Sequence, residues 1–365
     1  MSLSTEPRLI QYLHSKGIEK GLPVSGTFEL TSRCNFKCEM CYVHSENSNV
    51  KELSADEWIS LGEEAKKAGT LFLLLTGGEP LILKDFERIY RELNNMGFVL
   101  SVNTNGSLIH KYLDLFKERP PSRINISLYG SDSESFRSLC KADKFSDVIE
   151  NIKKLKALNI PVKINTVITE KNAHCCKDII NIAKELDVQI STTAYVYPQA
   201  RLNNDYGHNS TRLPYTDAAK ITVENELFRN GKDGFIPRAE KLLTPSNGMP
   251  VDTVRCRAGR SSYWITSDGA MRACGMLPEL EARPLEVGFW EAWERVKSKT
   301  KDVKMPAECH SCLYFGICKA CAAMCYAETG KFNGKPEYVC KLAEEIYRLT
   351  LIEYNKIKSG SEDSQ

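Results

Sequence analysis

The stretch CNFKCEMC, Cys34 to Cys41, decides how the rest of this sequence is read. It places three thiols, Cys34, Cys38 and Cys41, on one short loop directly after an apolar segment, Gly26 to Thr31, that reads as the first strand. Three thiolates on one loop can hold three corners of a cubane iron–sulfur cluster, whose fourth iron then has no protein ligand. An open coordination position is where a metal centre performs chemistry, by the logic that separates catalytic from structural zinc sites. The competing expectation is a zinc loop that borrows His44 as its fourth ligand. Tetrahedral zinc with this spacing would be unusual.

Cysteine usage elsewhere points the same way. The chain has 365 residues and 14 cysteines, and six of these fall between Cys309 and Cys340. A secreted disulfide scaffold would be short and carry a signal peptide. Met1 to Lys20 has no apolar core flanked by a small-residue cleavage site, so the thiols are expected to bind metal in a cytoplasmic protein. Lys plus Arg number 49 and Asp plus Glu 47, a formal charge of +2. That balance supplies no basic field for phosphates, so no nucleic-acid partner is expected. The strongest apolar run, Leu71 to Leu75, is too short to span a bilayer, and no membrane association is expected.

Working outward, short apolar stretches alternate with helical patterns. Candidate strands are Gly26 to Thr31, Leu71 to Thr76, Val99 to Asn103, Ile124 to Leu128, Val162 to Ile168 and Gln189 to Tyr195. Between them lie helical segments Ser54 to Ala68, Asp85 to Met96, Lys111 to Glu118, Phe145 to Leu158 and Lys177 to Leu186. Phe145, Val148, Ile149, Ile152, Leu155 and Leu158 recur at helical spacing, and Ser54 with Glu57 reads as a capping box. Six strand–helix units imply an α/β fold with a parallel sheet, a partial (β/α)6 TIM-like barrel with its chemistry at the strands' carboxyl ends. The expected organisation is an N-terminal extension (1–25), this core (26–200), a linker or crossover (201–250) with some helix around Asp217 to Phe228, a cysteine-rich α+β region (251–347), and a helix end with a polar tail (348–365). Gly288 to Lys297 and Leu342 to Tyr354 read as helices, and Ser359 to Gln365 as a disordered tail. The cysteine-rich region has little apolar periodicity, and bound metal would staple it.

Three further motifs sit at successive strand ends. Gly77-Gly78-Glu79-Pro80 follows the second, Asn103-Thr104-Asn105-Gly106 the third and Ser127-Leu128-Tyr129-Gly130 the fourth. Together with the CX3CX2C spacing, residues 26–200 resemble the radical SAM superfamily. The resemblance implies that Gly77, Gly78 and Glu79 clasp the amino group of S-adenosylmethionine, the glycines by close backbone approach and the carboxylate as acceptor for an ammonium. It implies polar contacts to ribose and methionine carboxylate from Asn105 and Ser127, and an adenine pocket bordered by Tyr42. Met40 stands where an aromatic is usual and can pack on adenine through its thioether. Arg137 is a candidate for the carboxylate, with a solvated helix position as the competing reading.

The carboxyl-terminal third runs Cys256, Gly269, Cys274, Cys309, Cys312, Cys318, Cys321, Cys325 and Cys340, and resembles a SPASM domain, the auxiliary-cluster extension of radical SAM maturases. Eight thiols make two sets of four. By the resemblance, Cys309, Cys312, Cys318 and Cys340 hold a distal cluster, and Cys256 and Cys274 a proximal one, joined by Cys321, Cys325 or both. If one of that pair binds, the proximal cluster keeps an open iron; if both bind, it is closed. Two zinc sites are the competing reading. Cys140, Cys175 and Cys176 remain as buried small apolar residues, with a substrate-facing role the alternative for Cys140.

The implied cofactors are S-adenosylmethionine and three 4Fe–4S clusters, one radical SAM and two auxiliary. The implied activity is reductive cleavage of S-adenosylmethionine to a 5′-deoxyadenosyl radical that abstracts hydrogen, oxidatively modifying or crosslinking a ribosomal peptide or protein side chain. Dehydrogenation or decarboxylation of a small metabolite is the alternative, and a non-catalytic iron–sulfur sensor the third reading. An electron donor such as flavodoxin or ferredoxin and an anaerobic cytoplasm follow from the clusters. Gly275 stands where sulfatase maturases carry an acidic base, which argues against formylglycine formation by that route. The roughly 25 residues before the first strand are too few for a leader-recognition domain.

Overall fold

The computed structural model describes residues 8–43, 51–199, 205–244, 254–318 and 320–360. His44, part of the expected linker and most of the expected tail lie outside the described residues. Strands β1 (Ser25–Glu29), β2 (Phe72–Thr76), β3 (Val99–Thr104), β4 (Arg123–Ser127), β5 (Val162–Val167) and β6 (Gln189–Thr193) form the expected parallel array, each hydrogen-bonded to its sequence neighbour. Parallel pairing requires a crossover, and helices Ala55–Lys67, Phe86–Asn95, Phe145–Ala157 and Cys176–Glu185 supply crossovers in four of the five connections. The remaining connection, between β3 and β4, carries the shorter helix Leu113–Glu118.

Local chemistry sets the ends of these helices. Ser54 accepts the Glu57 N–H, and the Glu57 carboxylate accepts the Ser54 N–H at 2.7 Å, the capping box read from the sequence. The apolar faces then close on the sheet: Phe28 of β1 packs on Trp58 at a ring separation of 5.0 Å, both fully buried. Each such side chain contributes about 1.5–3 kcal/mol by leaving water. Val148, Ile152 and Leu155 do the same from Phe145–Ala157.

The carboxyl-terminal third is less separate than its composition suggests. Strand β7 (Ser262–Ile265) pairs in parallel with β1, and β8 (Met271–Arg272) and β9 (Glu281–Ala282) follow antiparallel. One nine-stranded sheet results, ordered β6-β5-β4-β3-β2-β1-β7-β8-β9. Segments this short carry too few residues for an alternating pattern to be recognised. The stretch expected as a linker holds a helix, Tyr215–Leu243, kinked at Gly231, where φ is +66°. It packs through Val223, Phe235 and Ala239 on the final helix, Glu337–Lys358, which is longer at both ends than its apolar periodicity indicated.

Candidate functional site

The loop after β1 carries Cys34, Cys38 and Cys41, all half-buried, and two neighbours hold it. On one side the helix Ser133–Cys140 ends against it. The N–H groups of Lys37 and Glu39 donate to the carbonyls of Cys140 and Leu139, each at 3.2 Å. The last carbonyls of a helix lack partners within it, so loop and helix satisfy each other. On the other side, Gly78 N–H donates to the Thr31 carbonyl at 2.7 Å and Glu79 N–H to that of Arg33 at 2.9 Å. A Cβ on Gly77 would stand 2.4 Å from the Thr31 oxygen, and one on Gly78 2.3 Å from the Arg33 oxygen. The paired glycines are therefore required by close approach to the cysteine loop, whatever ligand they also meet.

Glu79 is fully buried at the same junction. Its carboxylate accepts from Thr104 Oγ1 at 2.8 Å, Asn105 N–H at 2.6 Å and Leu81 N–H at 3.0 Å. Burial pushes its pKa up to about 7 against the pull of these donors. The ends of β2 and β3 thus meet on one carboxyl group, and the backbone N–H of the same residue holds the loop after β1. Asn105 extends the junction: its Nδ2 donates to Asn35 Oδ1 at 2.8 Å, and its Oδ1 accepts from Ser107 Oγ at 2.7 Å. Ser127, at the end of β4, is hydrogen-bonded to the Tyr129 phenol. Burial, then the neighbouring Cys38, raises that phenol above its ordinary range. Met40 is buried against Leu139 and Val196, Tyr42 is half-buried on the main core, and Arg137 is exposed on its helix.

Backbone donors aim at the sulfurs. Phe36 N–H reaches Cys34 Sγ at 3.3 Å, Val43 N–H reaches Cys41 Sγ at 3.4 Å, and Ala320 N–H reaches Cys318 Sγ at 3.4 Å. Cys256 accepts the Ala258 N–H in the same way. An N–H two residues on favours a thiolate over a thiol, which suits a metal ligand. Burial opposes it and pushes Cys34 up to about 12 and Cys340 up to about 11, so these sulfurs need a cation to ionise. Among the described residues, no three Cys, His, Asp or Glu side chains converge tightly enough for a single metal ion.

In the carboxyl-terminal third Cys321 links two groups of thiols, since it neighbours Cys256, Cys318 and Cys325. Cys309, Cys312, Cys318 and Cys340 influence one another, and the fully buried Cys325 lies among them, closest in effect to Cys309. Cys256 feels Cys321 instead. Cys256 and Cys274 line a cavity of about 600 Å³ with Gln11, His14, Thr27 and Trp264. Tyr197, which follows β6, joins this group to the first loop: burial, then Cys321 and Cys274, raises its phenol, and Tyr42 stands beside it. Trp264 donates to the buried Glu29 carboxylate at 2.8 Å, and a Cβ on Gly275 would lie 2.8 Å from the Trp264 ring. That ring fills the place a larger residue 275 would need.

A family model described as the radical SAM superfamily matches residues 28–186. A probable GTP 3′,8-cyclase of Saccharolobus solfataricus is 33% identical over 255 residues, 67% of this chain and 80% of that protein. The chain belongs to the radical SAM superfamily. Radical SAM proteins use S-adenosylmethionine and a 4Fe–4S cluster, and this chain is an enzyme of that kind. An AdoMet-dependent heme synthase of Methanosarcina barkeri is 26% identical over 85% of this chain and 94% of its own length. The sporulation killing factor maturation protein SkfB of Bacillus subtilis is 24% identical over 86% of this chain and 74% of its own. Among solved structures, native anSMEcpe with bound AdoMet superposes with a TM-score of 0.69 at 21% identity, covering 93% of this chain and all of that one. The fold is thus that of a radical SAM barrel, and the cysteine-rich third fits the SPASM type.

Four residues beside the clustered cysteines were not legible as neighbours of a site. Tyr129 lay inside a quoted motif, but its approach to Cys38 and Cys41 depends on how β4 meets the cysteine loop. Tyr197 and Trp264 carried no motif. Cys140 was singled out only for its place in the chain; it is fully buried beside Cys38, which leaves it no face for substrate. Cys175 and Cys176 are buried as expected, with Asn225 Nδ2 donating to Cys176 Sγ at 3.0 Å.

Proposed function

We propose that this protein reductively cleaves S-adenosylmethionine at a cluster held by Cys34, Cys38 and Cys41, and uses the resulting radical to oxidise a peptide or protein side chain. The observation that carries the reading is the junction at Glu79, whose buried carboxylate ties the end of the third strand to the second while its backbone N–H and that of Gly78 hold the start of the cysteine loop. A reduced cluster there would supply the electron that splits the sulfonium into methionine and a 5′-deoxyadenosyl radical. The chain's own contribution is positional. Gly77 and Gly78 hold the second strand end against the cysteine loop, and Glu79 and Asn105 fix the third. Ser127 and Tyr129 bring the fourth to Cys38. Tyr42 borders the adenine side, and the Gly77-Gly78-Glu79 segment clasps the amino group of S-adenosylmethionine.

Two auxiliary 4Fe–4S clusters belong to the same proposal. Cys309, Cys312, Cys318 and Cys340 hold the distal one. Cys256, Cys274 and Cys321 hold the proximal one, a reading supported by the effect of Cys321 on Cys256 and by the full burial of Cys325, which borders Cys321 as well as Cys309, Cys318 and Cys340. Three ligands would leave one iron of such a cluster without a protein ligand, and Cys256 and Cys274 line the 600 Å³ cavity. A one-electron donor of the flavodoxin or ferredoxin type would serve all three. The peptide reading is supported by SkfB, a maturation protein, and by the solved anSMEcpe complex with the Cp18Cys peptide. A small-molecule substrate is the second reading, favoured by the long alignment with a heme synthase.

The test is anaerobic incubation of reconstituted, reduced protein with S-adenosylmethionine, following 5′-deoxyadenosine by chromatography and mass. Wild type should release it, and the variant with Cys34→Ala, Cys38→Ala and Cys41→Ala should not. Cleavage retained in that triple variant would sink the assignment. Adding candidate precursor peptides, or porphyrin substrates, then separates the two substrate readings by which one accelerates release.

A further inference from the structure

Cys140 is a fourteenth-part puzzle: a fully buried thiol, outside every cysteine motif, at the end of the helix Ser133–Cys140. Its surroundings are fixed from both sides. The two N–H groups flanking Cys38, those of Lys37 and Glu39, bond to the carbonyls of Cys140 and Leu139. That double attachment sets Cys38 over the last turn of the helix. Cys140 is fully buried in the main core and Cys38 packs against that core, while Met40, Leu139 and Val196 cover Cys38 with apolar surface. The helix carries its own caps, the Asp132–Ser135 capping box at its start and Lys141 in the left-handed region at its end, and Lys141 also pairs with Glu39 of the loop.

We infer that Cys140 is a positioning residue for the radical-generating centre, its buried S–H donating to the sulfur of Cys38 and stabilising the reduced cluster. The inference rests on the cluster assignment at Cys34, Cys38 and Cys41. A sulfur that ligates iron is an acceptor only, and a neutral S–H is a weak donor. In a dry, low-dielectric pocket such a bond is stronger than in water. Hydrogen bonds to cluster sulfurs are among the determinants of reduction potential. The reduced cluster carries one more negative charge, so a donor aimed at sulfur favours the reduced form and raises the potential. Groups outside the ligand set tune metal centres in this manner and orient the ligands as they do so.

The test compares wild type with Cys140→Ala and Cys140→Ser, each reconstituted with iron and sulfide, and reads the potential of the S-adenosylmethionine-responsive cluster by redox titration with electron paramagnetic resonance. Cys140→Ala should keep its iron and shift the potential to more negative values. Cys140→Ser, which retains a donor of similar size, should return it towards wild type. An unchanged potential in Cys140→Ala would overturn the inference. So would loss of this cluster from both variants, because the thiol would then be required for packing and not for its proton. Failure of the underlying assignment is read separately, from wild type against the triple cysteine variant: a responsive cluster that survives in the latter removes the assignment itself.

Discussion

At the residue scale, Glu79 carries the most informative chemistry. Its pKa of about 7 lies above the unfolded value, so the folded protein binds the extra proton between roughly pH 4.5 and 7. The stability it contributes is therefore fully present below pH 4.5 and is lost as the pH rises through 7. Without S-adenosylmethionine, the urea midpoint of wild type should fall over this window, by up to about 3 kcal/mol in unfolding free energy. Glu79→Gln should remove that slope. It should also cost about 1–3 kcal/mol at pH 5, since an amide –NH2 must face one of the three donors. Gly275 gives a second residue-scale prediction. Gly275→Asp would drive a Cβ to 2.8 Å from the Trp264 ring. We expect a loss of about 1–3 kcal/mol and altered tryptophan fluorescence, with no formylglycine-forming activity gained. An undisturbed Trp264 spectrum would contradict the steric account.

At the element scale, the segment after β6 is tied to the cysteine-rich third by one ion pair. Arg212 Nη2 meets Glu328 Oε1 at 2.8 Å, with both side chains almost fully buried. Arg212 also donates to the Val196 carbonyl at 2.7 Å and stands 4.3 Å from the Tyr338 ring centroid. Glu328 belongs to the helix Ala322–Thr329, which carries Cys325. Glu328→Ala should destabilise by about 3–5 kcal/mol, because it strands a buried guanidinium. The double change Arg212→Met with Glu328→Leu should cost less than the single one, by chemical denaturation. If the single variant is as stable as wild type, the pair does not hold these elements together. None of this was legible beforehand. Arg212 and Glu328 are ordinary surface residue types, and only the folded chain shows that they are buried.

At the scale of the whole molecule, strands β1 to β6 and their crossovers were legible because helical and strand periods differ and each segment is long enough to show its period. The sheet's extension through β7 to β9 was not, since short strands register only through their partners. The same shared sheet makes the cysteine-rich third part of the barrel's architecture, with Tyr263, Phe289 and Trp293 buried in the same core, and its thiols crowd into the short turns from Cys309 onward. Fully reconstituted protein should contain about twelve iron atoms, four for each of three cubanes. Removing them should expose the turns Ala307–Ser311 and Leu313–Gly316 to protease before the barrel, because these bury almost no side chains and metal-ligand bonds would hold them in place. A content near four, with the carboxyl-terminal third equally resistant, would leave only the radical SAM cluster.

The sequence by itself determined the loop chemistry: which cysteines share a loop, which glycines precede an acid at a strand end, and that six strand–helix units must pair in parallel. These are local facts, carried by spacing along the chain. The tertiary structure decided what spacing cannot encode. It buried Glu79 under three donors, set Trp264 where Gly275 leaves room, and bonded the loop around Cys38 to the helix end at Cys140. Each of these contacts joins residues whose relative position is set by how loops, helices and strands pack. Periodicity says which face of an element is buried, and only packing says against what.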